Sequence, residues 1–140
     1  MAIAQMNWGR MLYPLTHSLM SEFALSLADV YREAERYPGF IWRVPDEEAA
    51  NQLEALRYDS LTSATVSVWT DLEVLRSYTF SGTHGKFLGR SHEWFEKVEG
   101  PQLVIWDVHP SAQPTFSEAF ERLPHLKENG PSERGYGWEG

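Results

Sequence analysis

Thr62-Ser63-Ala64-Thr65-Val66-Ser67-Val68-Trp69 alternates two kinds of side chain, and Thr70-Asp71-Leu72-Glu73 follows it directly. Ala64, Val66 and Val68 fall on one side, with Ser63, Thr65, Ser67 and Trp69 on the other, the period of two expected of a strand whose faces meet different surroundings. Thr70 and Glu73 form a T-x-x-E capping box, so a helix is expected to open there, carrying Leu72, Leu75 and Tyr78. Working outward, Leu103 to Val108 reads as a further strand. Between the two, Ser81-Gly82-Thr83 is expected to interrupt the helix. A second helical stretch then sets His84, Phe87, Leu88, Ser91, Trp94, Phe95 and Val98 on one face.

Upstream, Ala4, Met6, Trp8 and Leu12 alternate with Ile3, Gln5, Asn7 and Gly9, which predicts a strand with one polar face. Leu19, Phe23, Leu27, Val30, Tyr31 and Ala34 recur at helical spacing until Tyr37-Pro38-Gly39 stops them. Phe40 to Val44 reads as another strand. Pro45 to Asp59 reads as an acidic connection with a helical turn around Glu47 to Leu56. A second T-x-x-E box, Thr115 to Glu118, opens a last helix that Pro124 is expected to bend or stop and Gly130-Pro131 to end. The order is strand, helix, strand, strand, helix, strand and a terminal helix: an α+β, ferredoxin-like βαββαβ arrangement with an antiparallel four-stranded sheet and an extra C-terminal helix. One domain spans 1–140, the last ten or so residues forming a tail that Tyr136 and Trp138 can dock. With helices on one face only, the other sheet face would be bare, and pairing two sheets into a dimeric α/β barrel would cover it. A homodimer is therefore expected.

Composition narrows the function. Twelve Lys and Arg against twenty Asp and Glu give a net charge of −8, which repels nucleic-acid phosphates and anionic lipid surfaces. No apolar run approaches the roughly 20 residues of a membrane span. There is no Cys, so thiolate nucleophiles, disulfides and Cys-ligated metals are excluded. The opening residues lack the basic and apolar regions of a signal peptide, so a cytoplasmic protein is expected. Asp107 and His109 lie two apart near a strand end, but no third residue stands at metal-ligand spacing, and no metal is expected. His17 and His125 read as solvated residues near helix ends. Arg10 and Arg43 each follow at short range a strand Trp and can pair with a carboxylate of substrate or protein, a structural ion pair with one of the twenty acids being the simpler reading.

His84 is the sharpest single residue. An imidazole on an apolar helix face beside Gly82 can exchange protons with a bound molecule, whereas a core histidine would only bond a backbone carbonyl. Tyr78 can donate a hydrogen bond to a carbonyl oxygen, or keep its hydroxyl in water. Gln5, Asn7 and Ser67 are candidate polar groups that orient an apolar ligand, with Trp8, Phe87 and Trp106 as aromatic walls.

The stretches Asn7-Trp8-Gly9-Arg10, Gly39-Phe40-Ile41-Trp42-Arg43, Ser67-Val68-Trp69, His84 to Phe95, Leu103 to Trp106, Pro114 to Leu123 and Gly130-Pro131 resemble the domain-of-unknown-function 3291 family of the dimeric α/β barrel superfamily. The run from Trp69 to Asp107 is more distantly similar to olivetolic acid cyclase-type barrels. Those use a Tyr and a His six positions apart, matched here by Tyr78 and His84. The resemblance implies a small cofactor-independent acid–base enzyme, of cyclase, isomerase or monooxygenase type, acting on an aromatic or polyketide-like molecule. His84 would be its base and Tyr78 its carbonyl donor. Haem-degrading relatives imply an alternative in which His84 is an axial haem ligand, and a non-catalytic ligand-binding module is the third reading.

Overall fold

The computed structural model describes residues 1–138, so the last two positions of the expected tail lie outside it. Four strands form one antiparallel sheet: β1 (Ala2–Arg10), β2 (Phe40–Arg43), β3 (Thr62–Trp69) and β4 (Leu103–Val108), in the order β2-β3-β1-β4. Ile3 pairs with Trp69 on one side and Asp107 on the other, and Gln5 with Ser67 and Ile105. The helices are α1 (Ser21–Arg36), α2 (Asp46–Ala55), α3 (Leu72–Thr79), α4 (Gly82–Leu88) and α5 (Phe116–Asn129). This is the expected α+β, ferredoxin-like arrangement.

The alternation of the strands builds two cores. Ala4, Met6, Val66, Val68, Val104 and Trp106 face Phe116, Ala119 and Leu123 of α5, with Ala49 and Leu53 of α2 beside them. Ile3, Trp69 and Ile105, on the opposite face, meet Ala34 of α1 and Leu75 and Tyr78 of α3. Helices therefore cover both faces. The bare face expected from the sequence does not exist, because α5 and the expected acidic connection, which is the ten-residue helix α2, fold over it. The argument for a homodimer by sheet pairing falls with it.

Local details differ from expectation as well. The cap of α3 is Asp71 rather than Thr70: the Asp71 side chain accepts from the Val74 N–H, one residue later than the T-x-x-E pattern implied. The helix break lies at Phe80 and Ser81, while Gly82 and Thr83 already belong to α4. The helix expected to run on from His84 to Val98 ends at Leu88, and a single 3-10 turn (Ser91–Glu93) follows. Pro124 sits inside α5 without ending it. The other box behaves as expected, with Thr115 accepting from the Glu118 N–H, and Gly130 closes the helix at a φ of 73°.

The tail docks. Tyr136 and Ile105 exchange two backbone hydrogen bonds of 2.8 Å, so the tail adds a short bridge to the β4 edge. The Tyr136 hydroxyl donates to Asp107 (2.8 Å), and the Trp138 ring lies 5.4 Å from that of Phe80.

Candidate functional site

The centre of the sheet carries side chains that do not suit a helix interface. On the face shared with Ile3 and Trp69, β1 and β3 present Gln5, Asn7, Ser63, Thr65 and Ser67. Burying such groups against an apolar helix costs free energy unless they are hydrogen-bonded. Accordingly α1 is braced by β2 and α4 rather than laid on the central strands. Only Ser26 and Ala34 of its sixteen residues are buried. Between sheet and helix lies an open cavity of about 1280 Å³. Phe23, Leu27, Val30 and Tyr31 of α1 line one side and the polar strip the other, with Tyr78, His84 and Phe87 at its margin. The volume suits a small organic molecule, and the walls suit one with an apolar face and a polar edge.

His84 owes its place to the break between α3 and α4. Ending α3 at Thr79 leaves its last carbonyls without intrahelical partners. Glycine at 85 then lets α4 turn close, since a Cβ there would stand 2.7 Å from the Phe80 carbonyl carbon. The His84 ring folds back so that Nδ1 lies 2.8 Å from the Thr79 carbonyl oxygen. A carbonyl can only accept, so Nδ1 carries the proton and Nε2 the lone pair. Among the described residues Nε2 has no hydrogen-bond partner. Burial lowers the His84 pKa from the ordinary value and outweighs the Thr79 carbonyl, which raises it. The imidazole is thus neutral at pH 7.

Tyr78 and His84 do come together, with ring centroids 5.1 Å apart. The Tyr78 hydroxyl, however, donates to the Val30 carbonyl of α1 (3.0 Å), and its ring sits 5.0 Å from Trp69. Burial, with Glu33 nearby, raises its pKa well above that of a free phenol. Its proton is committed to holding α1 over the cavity.

Of the polar candidates, Gln5 and Ser67 are buried and Asn7 half-buried, all lining the cavity. Asn7 Nδ2 donates to Gln5 Oε1 (2.9 Å), Gln5 Nε2 to Ser67 Oγ (2.7 Å), and Trp69 Nε1 to the same Oγ (2.8 Å). The aromatic candidates divide. Phe87 lies at the cavity and stacks obliquely on Trp94 (5.2 Å). Trp8 belongs to the opposite face and reaches the cavity only around the sheet end, where its Nε1 donates to Pro101 (3.3 Å). Trp106 is not a wall of the site: strand parity puts it in the α5 core, 1% exposed, with Arg122 5.0 Å over its ring.

The cavity also takes in Arg43 and Tyr31, whose places in it their spacing does not reveal. A β-bulge between Phe40 and Trp42 shifts the register, so that Arg43 pairs with Ser67 and turns to the cavity face. Arg43 bonds Asp46 (2.7 Å) and Glu35 (3.3 Å) and covers the Tyr31 ring at 4.3 Å. It is the structural ion pair expected of it, as is Arg10 with Asp59 and Glu96. The Tyr31 hydroxyl has no hydrogen-bond partner among the described residues, and burial raises its pKa. No signal marks Tyr31 apart from its helical spacing with Leu27 and Ala34.

Away from the cavity, His109 Nδ1 bonds Ser111, and Asp107 serves Tyr136. No group of three potential metal ligands occurs among the described residues. His17 caps the 3-10 turn before α1 and stacks on Tyr13 at 4.4 Å. His125 Nδ1 is buried without a partner, which corrects the expectation of a solvated ring. No described helix is long and apolar enough to cross a membrane.

A family model described as "Domain of unknown function (DUF3291)" matches residues 2–140. The chain belongs to this family. Membership of the DUF3291 family accords with the resemblance carried by the Asn7-Trp8-Gly9-Arg10 and Gly39 to Arg43 stretches, and it assigns no activity. Neither the curated proteins nor the solved structures contain a match to the chain.

Proposed function

We propose that the protein is a small acid–base enzyme whose His84 Nε2 removes a proton from an apolar, aromatic or polyketide-like molecule bound between the sheet and α1. The reaction belongs to the cyclase, isomerase or cofactor-free oxygenase type, each of which begins with that proton transfer. The observation that carries this reading is the His84–Thr79 bond: it takes the Nδ1 proton and so leaves the lone pair of the neutral ring on Nε2, unengaged, beside a cavity of ligand size. The distant similarity to olivetolic acid cyclase-type barrels points the same way, and a cytoplasmic location fits. Tyr78 acts in this scheme as the brace of α1 rather than as the carbonyl donor first expected.

Nitrobenzisoxazole tests the base without knowledge of the natural substrate. Removal of its ring C–H proton turns the C–H electron pair into the third bond of a nitrile, breaks the N–O bond with its pair going to oxygen, and gives a coloured cyanophenolate. Wild type accelerates the reaction, and His84→Ala loses about 10²- to 10⁴-fold, the usual contribution of a positioned base. Equal rates for the two proteins would leave a non-catalytic ligand-binding module.

The same Nδ1–H bond to a carbonyl is how metal-ligating histidines are commonly held, which supports a second reading with haem iron on Nε2. That reading expects added haemin to give a visible absorption band that His84→Ala abolishes.

A further inference from the structure

The hydrogen bonds on the cavity floor all run one way. An indole N–H and an amide N–H can only donate, so the bonds from Trp69 Nε1 (2.8 Å) and Gln5 Nε2 (2.7 Å) occupy both lone pairs of Ser67 Oγ. Asn7 Nδ2 donates in the same sense to Gln5 Oε1, and Thr65 takes only a long second contact from Gln5 at 3.5 Å. The Ser67 hydroxyl proton is what remains, and no described residue accepts it. Ser67 is 6% exposed and lines the cavity. An O–H that accepts two hydrogen bonds is polarised into a better donor, and a buried donor without an acceptor is costly. The arrangement is complete only when something in the cavity supplies an acceptor.

We propose that Ser67 Oγ–H is the binding point for a carbonyl oxygen, so that the ligand is an aryl carbonyl compound whose oxygen caps Ser67 and whose aromatic body lies against Phe23, Leu27 and Val30. The carbonyl site stands on these bonds alone. Its catalytic consequence rests on His84 as base: when the proton beside the carbonyl passes to Nε2, the electron pair moves to the oxygen, and the charge that develops there is held by Ser67. Ser67 would then supply the donor that Tyr78, tied to Val30, does not.

Acetylnaphthalene and ethylnaphthalene, which share an aromatic frame and differ in the carbonyl, test the site, with infrared spectroscopy of the bound ketone as readout. The wild-type carbonyl stretch is expected at lower frequency than in an apolar solvent, with the ketone bound about tenfold more tightly than the hydrocarbon. Ser67→Ala removes both effects, and Ser67→Thr retains them. Gln5→Glu keeps the serine but offers its proton a carboxylate acceptor, and is expected to abolish the shift as Ser67→Ala does. A stretch unchanged in Ser67→Ala, a shift retained by Gln5→Glu, or a wild type that does not bind the ketone would each overturn the proposal. His84→Ala leaves the stretch shifted while losing nitrobenzisoxazole turnover, so failure of the base assignment and failure of the carbonyl site are read separately.

Discussion

His84 Nδ1 lies 2.8 Å from the carbonyl oxygen of Thr79, five residues earlier and at the very end of α3. The same interruption that ends the helix supplies the acceptor, so the backbone break and the orientation of the imidazole are one feature. What the break leaves unsatisfied in α3, the histidine satisfies, and the ring's other nitrogen is left without a hydrogen-bond partner among the described residues.

Proton abstraction should therefore depend on the neutral imidazole. Because burial lowers the folded-state pKa below the ordinary value of about 6.5, the rate rises from acid pH with a midpoint below 6.5. Stability carries the same sign. The unfolded chain binds this proton more readily, so the His84 contribution is fully present above the unfolded pKa and is lost as pH falls through the folded value. Urea unfolding of wild type and His84→Gln, compared at neutral and mildly acidic pH, checks this: the gap in pH sensitivity should vanish in the variant.

Tyr78→Phe should behave as a structural lesion. It removes the hydrogen bond to the Val30 carbonyl, which keeps its intrahelical donor, a loss of about 0.5–1.5 kcal/mol, measurable by urea unfolding. Turnover of nitrobenzisoxazole should fall far less than in His84→Ala. A loss as large as that of His84→Ala at unchanged stability would restore Tyr78 as the donor.

The strands were legible because each has two faces with different neighbours, and a period of two survives every later packing choice. Ser63, Thr65 and Ser67 against Ala64, Val66 and Val68 gave β3 its limits, and with the intervening helices the strand order. Which helix covers which face was not legible. It depends on where the chain goes after β2 and β4, and α2 is acidic and short enough to pass for a solvated loop. Trp106 was misassigned for that reason, since strand parity fixes its face but not what lies over it. Arg43 was hidden by the bulge, a one-residue register change that no periodicity reveals. In the site, the pairing of Tyr78 with His84 was readable from their spacing, whereas the commitment of the Tyr78 hydroxyl to α1 is a long-range contact that spacing does not encode.

Gly135→Ala should undo the tail. A Cβ there would stand 2.6 Å from a methyl of Val104, which is fully buried, so the added group strains the bridge at the β4 edge by about 1–3 kcal/mol. Hydrogen exchange of the Ile105 and Tyr136 amides, which bond each other's carbonyls, should speed up while the amides paired between β1 and β3 keep their protection. Uniform loss of protection across the sheet would mean that the tail holds the whole fold.

With α2 and α5 over one sheet face and α1 and α3 over the other, the chain should sediment with the mass of one copy at micromolar concentration. A twofold mass would place an interface elsewhere, and the exposed Leu12, Leu15 and Leu19 before α1 would be the first surface to substitute.

The central claim is that His84, at the cavity margin, keeps its proton on Nδ1 and Nε2 bare, and nitrogen-detected NMR of the histidine ring reads this directly. The predicted spectrum has the proton on Nδ1 in the neutral ring, a titration midpoint below 6.5, and a shift of Nε2 when an aromatic ligand enters. A ring with its proton on Nε2, or a midpoint at or above the ordinary histidine value, would contradict the account.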